Sequence, residues 1–290
     1  MTTARRTQGT GHRSAVKGIE VAKLSGAGND FILVDRRKGR LPLPEPELAR
    51  RFCRRRMSIG ADGLIALIPS RRADFKIVYY NSDGSHAALC LNGARCAARF
   101  AFEKRIAPRR MTIETEAGIY GAEILPEGVR LAFPPFPVRV RPVRVRRGPA
   151  WLVDVGVPHL IVPAADDLFH RKNFVEEARA LRFHPALAPG GANVSFTAVL
   201  KPGLLAMRTY ERGIEDEVLS CSSGSWAALH ALAESGAVLR SPVHILNAAR
   251  LPLIFEFNSV EGKPEGLRLT GDARLIFLGR VGQEAWTWGP

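Results

Sequence analysis

Cysteine is scarce in this chain. Cys53, Cys90, Cys96 and Cys221 are the whole complement in 290 residues, and no two stand in C-x-x-C spacing. That excludes a disulfide-stapled scaffold and argues against a structural zinc site or a one-loop redox pair. Long apolar runs are missing as well: no stretch approaches the roughly 18 residues that span a bilayer, and no apolar signal core follows the start. Aromatic residues make up only 8% of the chain. Acid is short relative to base, 28 Asp and Glu against 42 Lys and Arg, for a formal charge of +14. The arginines are scattered rather than gathered with stacking aromatics, so the excess reads as a general basic bias that suits small acidic substrates, not as a nucleic-acid surface. A cytoplasmic protein with neither membrane nor nucleic acid as partner is expected.

What is present is enough for a full core: 46% hydrophobic and 24% charged residues, at a length that suits about two domains. Residues 1–18 carry Arg5, Arg6, Arg13 and Lys17 and no acid, which reads as a disordered basic tail. Alternating strands and glycine-rich turns begin at Ile19. The Pro134-Pro-Phe-Pro137 break separates a first half, 19–135, from a second, 136–277, and a C-terminal strand at about 278–290 is expected to rejoin the first half. Val138 to Arg147 alternates valine and arginine around Pro142, which marks an edge strand or an extended linker. The fold expected is α/β of the α+β kind: two pseudo-symmetric domains, each a curved, mostly antiparallel sheet or barrel around a central apolar helix, with the site in the cleft between them.

Two stretches organise this plan. Tyr80-Asn-Ser-Asp-Gly-Ser-His-Ala-Ala-Leu-Cys90-Leu-Asn-Gly93 is echoed by Tyr210-Glu-Arg-Gly-Ile-Glu-Asp-Glu-Val-Leu-Ser-Cys221-Ser-Ser-Gly224. Each runs from a tyrosine through a polar turn into Cys-x-x-Gly and an alanine-rich helix. A cysteine at a helix start meets free N–H groups and the positive end of the dipole, which favour an anionic sulfur. Two thiols facing each other across a cleft could serve redox, metal or proton-transfer chemistry. Neither redox nor metal spacing is met. Inverting a carbon stereocentre does require two groups, a thiolate on one face and a thiol on the other. The same loops hold Asn29, Asn81, Asn92, Asn193, Glu211 and Arg212, a set suited to a carboxylate and an ammonium away from the reacting carbon. A lone asparagine in such a turn serves the turn; six polar residues in matched loops point to a ligand.

Taken in order, Gly26-Ala-Gly-Asn-Asp-Phe31, Gly60-Ala-Asp-Gly-Leu64, Asn81-Ser-Asp-Gly-Ser85, Cys90-x-Asn-Gly-Ala-Arg-Cys96, Pro158-His159, Asn193-Val194, Glu211-Arg-Gly213 and Cys221-x-x-Gly224 resemble the diaminopimelate epimerases from about residue 20 onward. The resemblance implies an isomerase independent of pyridoxal phosphate, with no metal or other cofactor. Such enzymes interconvert LL- and meso-diaminopimelate for lysine and peptidoglycan synthesis. It implies Cys90 and Cys221 as the acid–base pair, with His159 and Glu211 as candidates for tuning them. Asn29, Asn81, Asn193 and Arg212, with the backbone at Glu211, would hold the distal end of a small amino-acid substrate; Asn92, Ser222 and Ser223 would supply backbone donors at the reacting end. A homodimer is compatible with this reading. Three positions depart from the family's pattern. Leu91 and Ser222 stand where glycine follows each cysteine, and Val157 stands where an asparagine precedes Pro-His. A positive φ at Leu91 would strain it, whereas a negative φ would keep its N–H donor and cost only pocket space. These departures leave room for a racemase acting on another amino acid. The basic bias motivates a third reading, a binding protein that has kept the fold without the activity.

Overall fold

The computed structural model describes residues 18–146, 148–237 and 239–288. The expected basic tail, apart from Gly18, lies outside the described residues, as do Arg147 and the last two positions. The first half runs β1 (Ile19–Gly26), β2 (Asn29–Asp35), α1 (Glu45–Phe52), β3 (Gly63–Ile68), β4 (Phe75–Asn81), β5 (His86–Ala87), α2 (Leu91–Glu103), β6 (Arg110–Thr115), β7 (Gly118–Leu125) and β8 (Gly128–Ala132). After β9 (Arg139–Val145) the second half runs β10 (Gly148–Asp154), β11 (Pro158–Pro163), α3 (Phe174–Arg182), β12 (Asn193–Lys201), β13 (Leu204–Glu211) and β14 (Asp216–Val218). It continues with α4 (Ser222–Glu234), β15 (Val243–Leu246), β16 (Pro252–Val260) and β17 (Lys263–Gly271), and β18 (Arg274–Val281) and α5 (Glu284–Thr287) close the chain.

The repeat is topological as well as sequential. β1 to β8 correspond in order to β10 to β17, with α1 and α3 after the second strand of each set and α2 and α4 after the fifth. Parallel pairs fall at the same two places in each half, β2–β3 and β4–β6 against β11–β12 and β13–β15, and the other pairs are antiparallel. The long apolar segment that crosses over between parallel strands is the buried helix in each case, α2 between β4 and β6 and α4 between β13 and β15. β9 pairs with β10, and β18 pairs with β1, so the strand that returns to the first half is Arg274–Val281. β8 and β17 pair across the two halves. Pro142 lies on β9 opposite Trp151, at an edge where its missing N–H leaves no ladder bond unmade. Val143 and Val145 point into the protein there, and Arg139, Arg141 and Arg144 point to solvent.

Small side chains let the strands wrap closely around the two central helices. α2 buries ten of its 13 residues, among them Ala94, Ala97, Ala98 and Ala101. α4 buries Ala227, Ala228, Leu229 and Ala231 in the same apolar cluster. The proline break is pinned to α4 through Phe133 and Phe136, whose rings meet Trp226 edge-on at 5.0 and 5.6 Å. Two smaller clusters seat the outer helices: Phe174 and Ala178 of α3 against Phe196, and Leu48 and Phe52 of α1 against Trp286. Cys53, read as a packing residue, is buried in the last of these.

Candidate active site

Each of the two organising cysteines is the N-cap of a central helix. Cys90 has φ −132° and ψ 108°, and Cys221 has φ −132° and ψ 103°. Each sulfur accepts the N–H three residues on, from Gly93 at 3.4 Å and from Gly224 at 3.3 Å. Glycine at these positions makes room: a Cβ on Gly93 would come within 2.9 Å of Ile65 Cδ1, and one on Gly224 within 3.0 Å of Ser195 Oγ. The Cys-x-x-Gly signature is therefore a cap, with sulfur in the place usually taken by a serine or aspartate oxygen.

Burial dominates the acidity of both thiols. Cys90 is pushed up to about 11 and Cys221 to about 12, in each case chiefly by desolvation and opposed by N–H donors from the helix start. Cys90 is among the charges that Cys221 feels, so the two sulfurs are electrostatic neighbours. Glu211 raises both. It ends β13 where Asn81 ends β4, and its own carboxyl is pushed up to about 7 by burial and by Asp62. Both sulfurs are neutral at neutral pH, and the carboxyl of Glu211, whose charge reaches them, titrates there.

The helix starts are tied to one another. Ser222 Oγ donates to Asn92 Oδ1 at 2.6 Å, and Arg95 reaches both, Nη2 to Asn92 Oδ1 at 2.7 Å and Nη1 to Ser222 Oγ at 3.2 Å. Asn92 Nδ2 donates to Asn29 Oδ1 at 2.5 Å, and Asn29 Nδ2 to Asp62 Oδ2 at 3.1 Å. Leu91 and Ser222 are the first residues of their helices, and neither has a positive φ. Leucine in place of glycine is thus unstrained, and its side chain, 3% exposed, enters the main core. Both helix starts keep their N–H donors.

The surroundings of the two thiols differ: Cys90 is half-buried and Cys221 buried, and Cys221 has a hydroxyl beside it. Ser223 Oγ lies 3.4 Å from Cys221 Sγ and 3.0 Å from Nε2 of the fully buried His159. Burial and the charge of Arg212 push the imidazole down to about 3, so it is neutral. Ser223 accordingly brings a hydroxyl as well as the expected backbone donor. On the Cys90 side the corresponding residue, Asn92, is turned toward Arg95.

The other expected ligand residues have hydrogen-bond partners other than the sulfurs. Asn81 Nδ2 donates to Ser85 Oγ at 2.9 Å. Asn193, on β12 opposite His159, accepts the backbone N–H of Arg212 at 2.8 Å, and the guanidinium of Arg212 is exposed with one long contact to Gly191 O at 3.4 Å. Val157 sits half-buried in the β10–β11 turn. Among the described residues no three His, Cys, Asp or Glu side chains converge as a metal site would need, and no helix is long and apolar enough to cross a membrane. Residues to which the sequence assigned no role in the site are Asp62, Tyr79 and Arg95. Tyr79, whose phenol is raised by burial and feels Cys90 and Glu211, lies in the notch left by Gly63, where a Cβ would come within 2.4 Å of its ring. Arg95 did carry a signal: it is a cation set among Ala94, Cys96, Ala97 and Ala98 in a largely apolar segment.

Comparison with known proteins identifies the family. The family model for diaminopimelate epimerase matches residues 21–133. The diaminopimelate epimerase of Aquifex aeolicus is 34% identical over 92% of this chain and 99% of its own length. That of Chlorobaculum tepidum is 38% identical over 89% and 99%. The chain belongs to the diaminopimelate epimerase family. It is therefore an isomerase of the epimerase and racemase class. The fold extends further: a hydroxyproline epimerase from Agrobacterium vitis superposes with a TM-score of 0.68 at 18% identity, covering 92% of this chain and 93% of that one. A PhzF-family protein from Bacillus anthracis gives 0.68 at 16% identity, covering 91% and 99%. Family membership removes the reading of a non-enzymatic basic binding protein.

Proposed function

We propose that this protein inverts the α-carbon of LL-diaminopimelate to give the meso form, a step toward lysine and peptidoglycan, by two-base proton transfer between Cys90 and Cys221 without pyridoxal phosphate. The observation that carries this reading is the matched pair of cysteine N-caps on neighbouring helices. One sulfur, as thiolate, takes the α-proton from one face. The electron pair left on carbon spreads into the α-carboxylate as an enediolate, and the other thiol delivers its proton to the opposite face. A thiol and a thiolate have then exchanged roles, and no other atom has changed hands. The N–H groups of Asn92, Ser222 and Ser223 at the two helix starts are the donors for the carboxylate and for the charge that grows on it, those of Gly93 and Gly224 being held by the sulfurs.

Desolvation opposes forming the thiolate. Substrate binding supplies an ammonium close to the reacting carbon, which favours the thiolate. Asn81, Asn193 and Arg212, with Asn29 and the Glu211 backbone, would hold the distal amino-acid end, and Ser223 with neutral His159 would steady the Cys221 thiol. Val157, apolar and half-buried in the β10–β11 turn, favours a second reading, inversion of a different amino acid. Incubation of the reduced enzyme with LL-diaminopimelate in heavy water separates the two. Deuterium at the α-carbon together with meso product supports the first. Loss of chirality only with other members of an amino-acid panel supports the second.

A further inference from the structure

Arg95 carries a buried charge with no carboxylate in direct contact with it. Its side chain has 0% exposure, and every acceptor it reaches is neutral: Asn92 Oδ1 at 2.7 Å, Ser222 Oγ at 3.2 Å, Asp272 O at 3.4 Å and Leu91 O at 3.5 Å. The carboxylate of Asp272, whose charge favours the guanidinium from a distance, makes its hydrogen bonds elsewhere, accepting from Ala27 N at 2.5 Å and Arg274 Nε at 2.9 Å. Burying a cation without an anion against it is costly, and such groups persist where another function holds them. The contacts locate that function. Leu91 and Asn92 are the two residues after one thiol, and Ser222 is the residue after the other, so the guanidinium lies behind both helix starts at once. The second half has no counterpart: five residues after Cys221 stands Trp226, whose indole N–H goes to His230 Nε2 at 3.0 Å.

We propose that Arg95 is a positioning residue that sets the ionisation of the cleft, its unpaired guanidinium serving as the standing counter-charge for the anion that the thiol pair carries through the reaction. This rests on Cys90 and Cys221 being the proton-transfer pair. The other groups that bear on these thiols are Glu211 of β13, Tyr79 of β4 and Cys96 of α2, with His159 of β11 reaching Cys221 through Ser223. Glu211, when ionised, opposes thiolate formation; His159 is neutral; Tyr79 and Cys96 stay protonated. Arg95 is the one fixed positive charge among them, and its field favours thiolate at Cys90.

The test is the rate of iodoacetamide alkylation at Cys90 and at Cys221, followed against pH by peptide mass spectrometry in the full-length reduced protein without substrate. Arg95→Met removes the charge at similar length, and Arg95→Lys keeps it. Asn92→Asp sets a carboxylate against the guanidinium and provides a second neutralising variant should the methionine protein not fold. The expected result is alkylation of Cys90 about tenfold slower in Arg95→Met and in Asn92→Asp at any pH below its titration, a shift of about one pH unit, with Arg95→Lys close to wild type. Rates in a folded Arg95→Met or Asn92→Asp protein that match wild type overturn the proposal, as does an equal loss in Arg95→Lys. Failure of the epimerase reading would be seen separately, as full turnover in a Cys90→Ala protein.

Discussion

The hydroxyl of Ser222 donates to Asn92 Oδ1 at 2.6 Å, joining the residue after one thiol to the second residue after the other. Both groups are buried, 4% and 3% exposed, so removing one leaves the other short of a partner. Ser222→Ala is expected to lower stability by about 1–2 kcal/mol. Combined with Asn92→Ala in a double-mutant cycle followed by urea unfolding, it should show a coupling of at least about 0.5 kcal/mol. Additive losses would mean that the bond does not hold the helices together.

Glu211 gives the cleft its pH response. Burial pushes the carboxyl up to about 7, and once ionised it raises both thiols. As pH rises through 7 this charge therefore works against thiolate formation. Glu211→Gln should speed alkylation of Cys90 and Cys221 at pH 8 several-fold and remove an inflection near pH 7 from the alkylation profile. An unchanged profile would place the carboxyl out of reach of the sulfurs.

Ser223 touches one thiol only. Its hydroxyl lies 3.4 Å from Cys221 Sγ and favours the thiolate there. Ser223→Ala should slow alkylation of Cys221 while leaving Cys90 at its wild-type rate. Equal slowing of both would point to a general change of the cleft rather than to this hydrogen bond.

His159 makes the fold acid-sensitive. Its folded value of about 3 lies below the ordinary value of 6.5, so between those limits the unfolded chain holds the extra proton. Stability is full above about 6.5 and falls as pH drops toward 3, with a slope of about 1.4 kcal/mol per pH unit for one proton. His230, lowered to about 4 by burial, adds a similar loss over a narrower window. His159→Asn should flatten the urea-unfolding stability between pH 6.5 and 4 by about one proton's worth. An unaltered slope would contradict a buried neutral imidazole.

Much of this was legible in the sequence because the chemistry is local. Cys-x-x-Gly before an alanine-rich run specifies a capped buried helix whatever surrounds it, and Pro142 within a valine–arginine alternation specifies an edge. Strand ends were less so. β18 closes at Val281 and is followed by α5, because the register against β1 runs only from Ile19 to Ser25, a tertiary constraint that alternation does not reveal. The roles of side chains at the seam were hidden for the same reason. Nothing near Arg95 in the chain indicates that Ser222, 127 positions away, supplies one of its acceptors. Nor does Ser223 reveal that its hydroxyl, and not only its N–H, faces the sulfur.

The central claim is that two cysteines act on opposite faces of one carbon. Conversion of LL- to meso-diaminopimelate by wild type, Cys90→Ala and Cys221→Ala, each reduced, folded and followed by chiral chromatography in heavy water, tests it most directly. Wild type should form deuterated meso product, and each alanine variant should lose at least about a thousandfold in turnover, since no other group stands in for a missing acid or base. Turnover near the wild-type rate in either variant would contradict the two-thiol account.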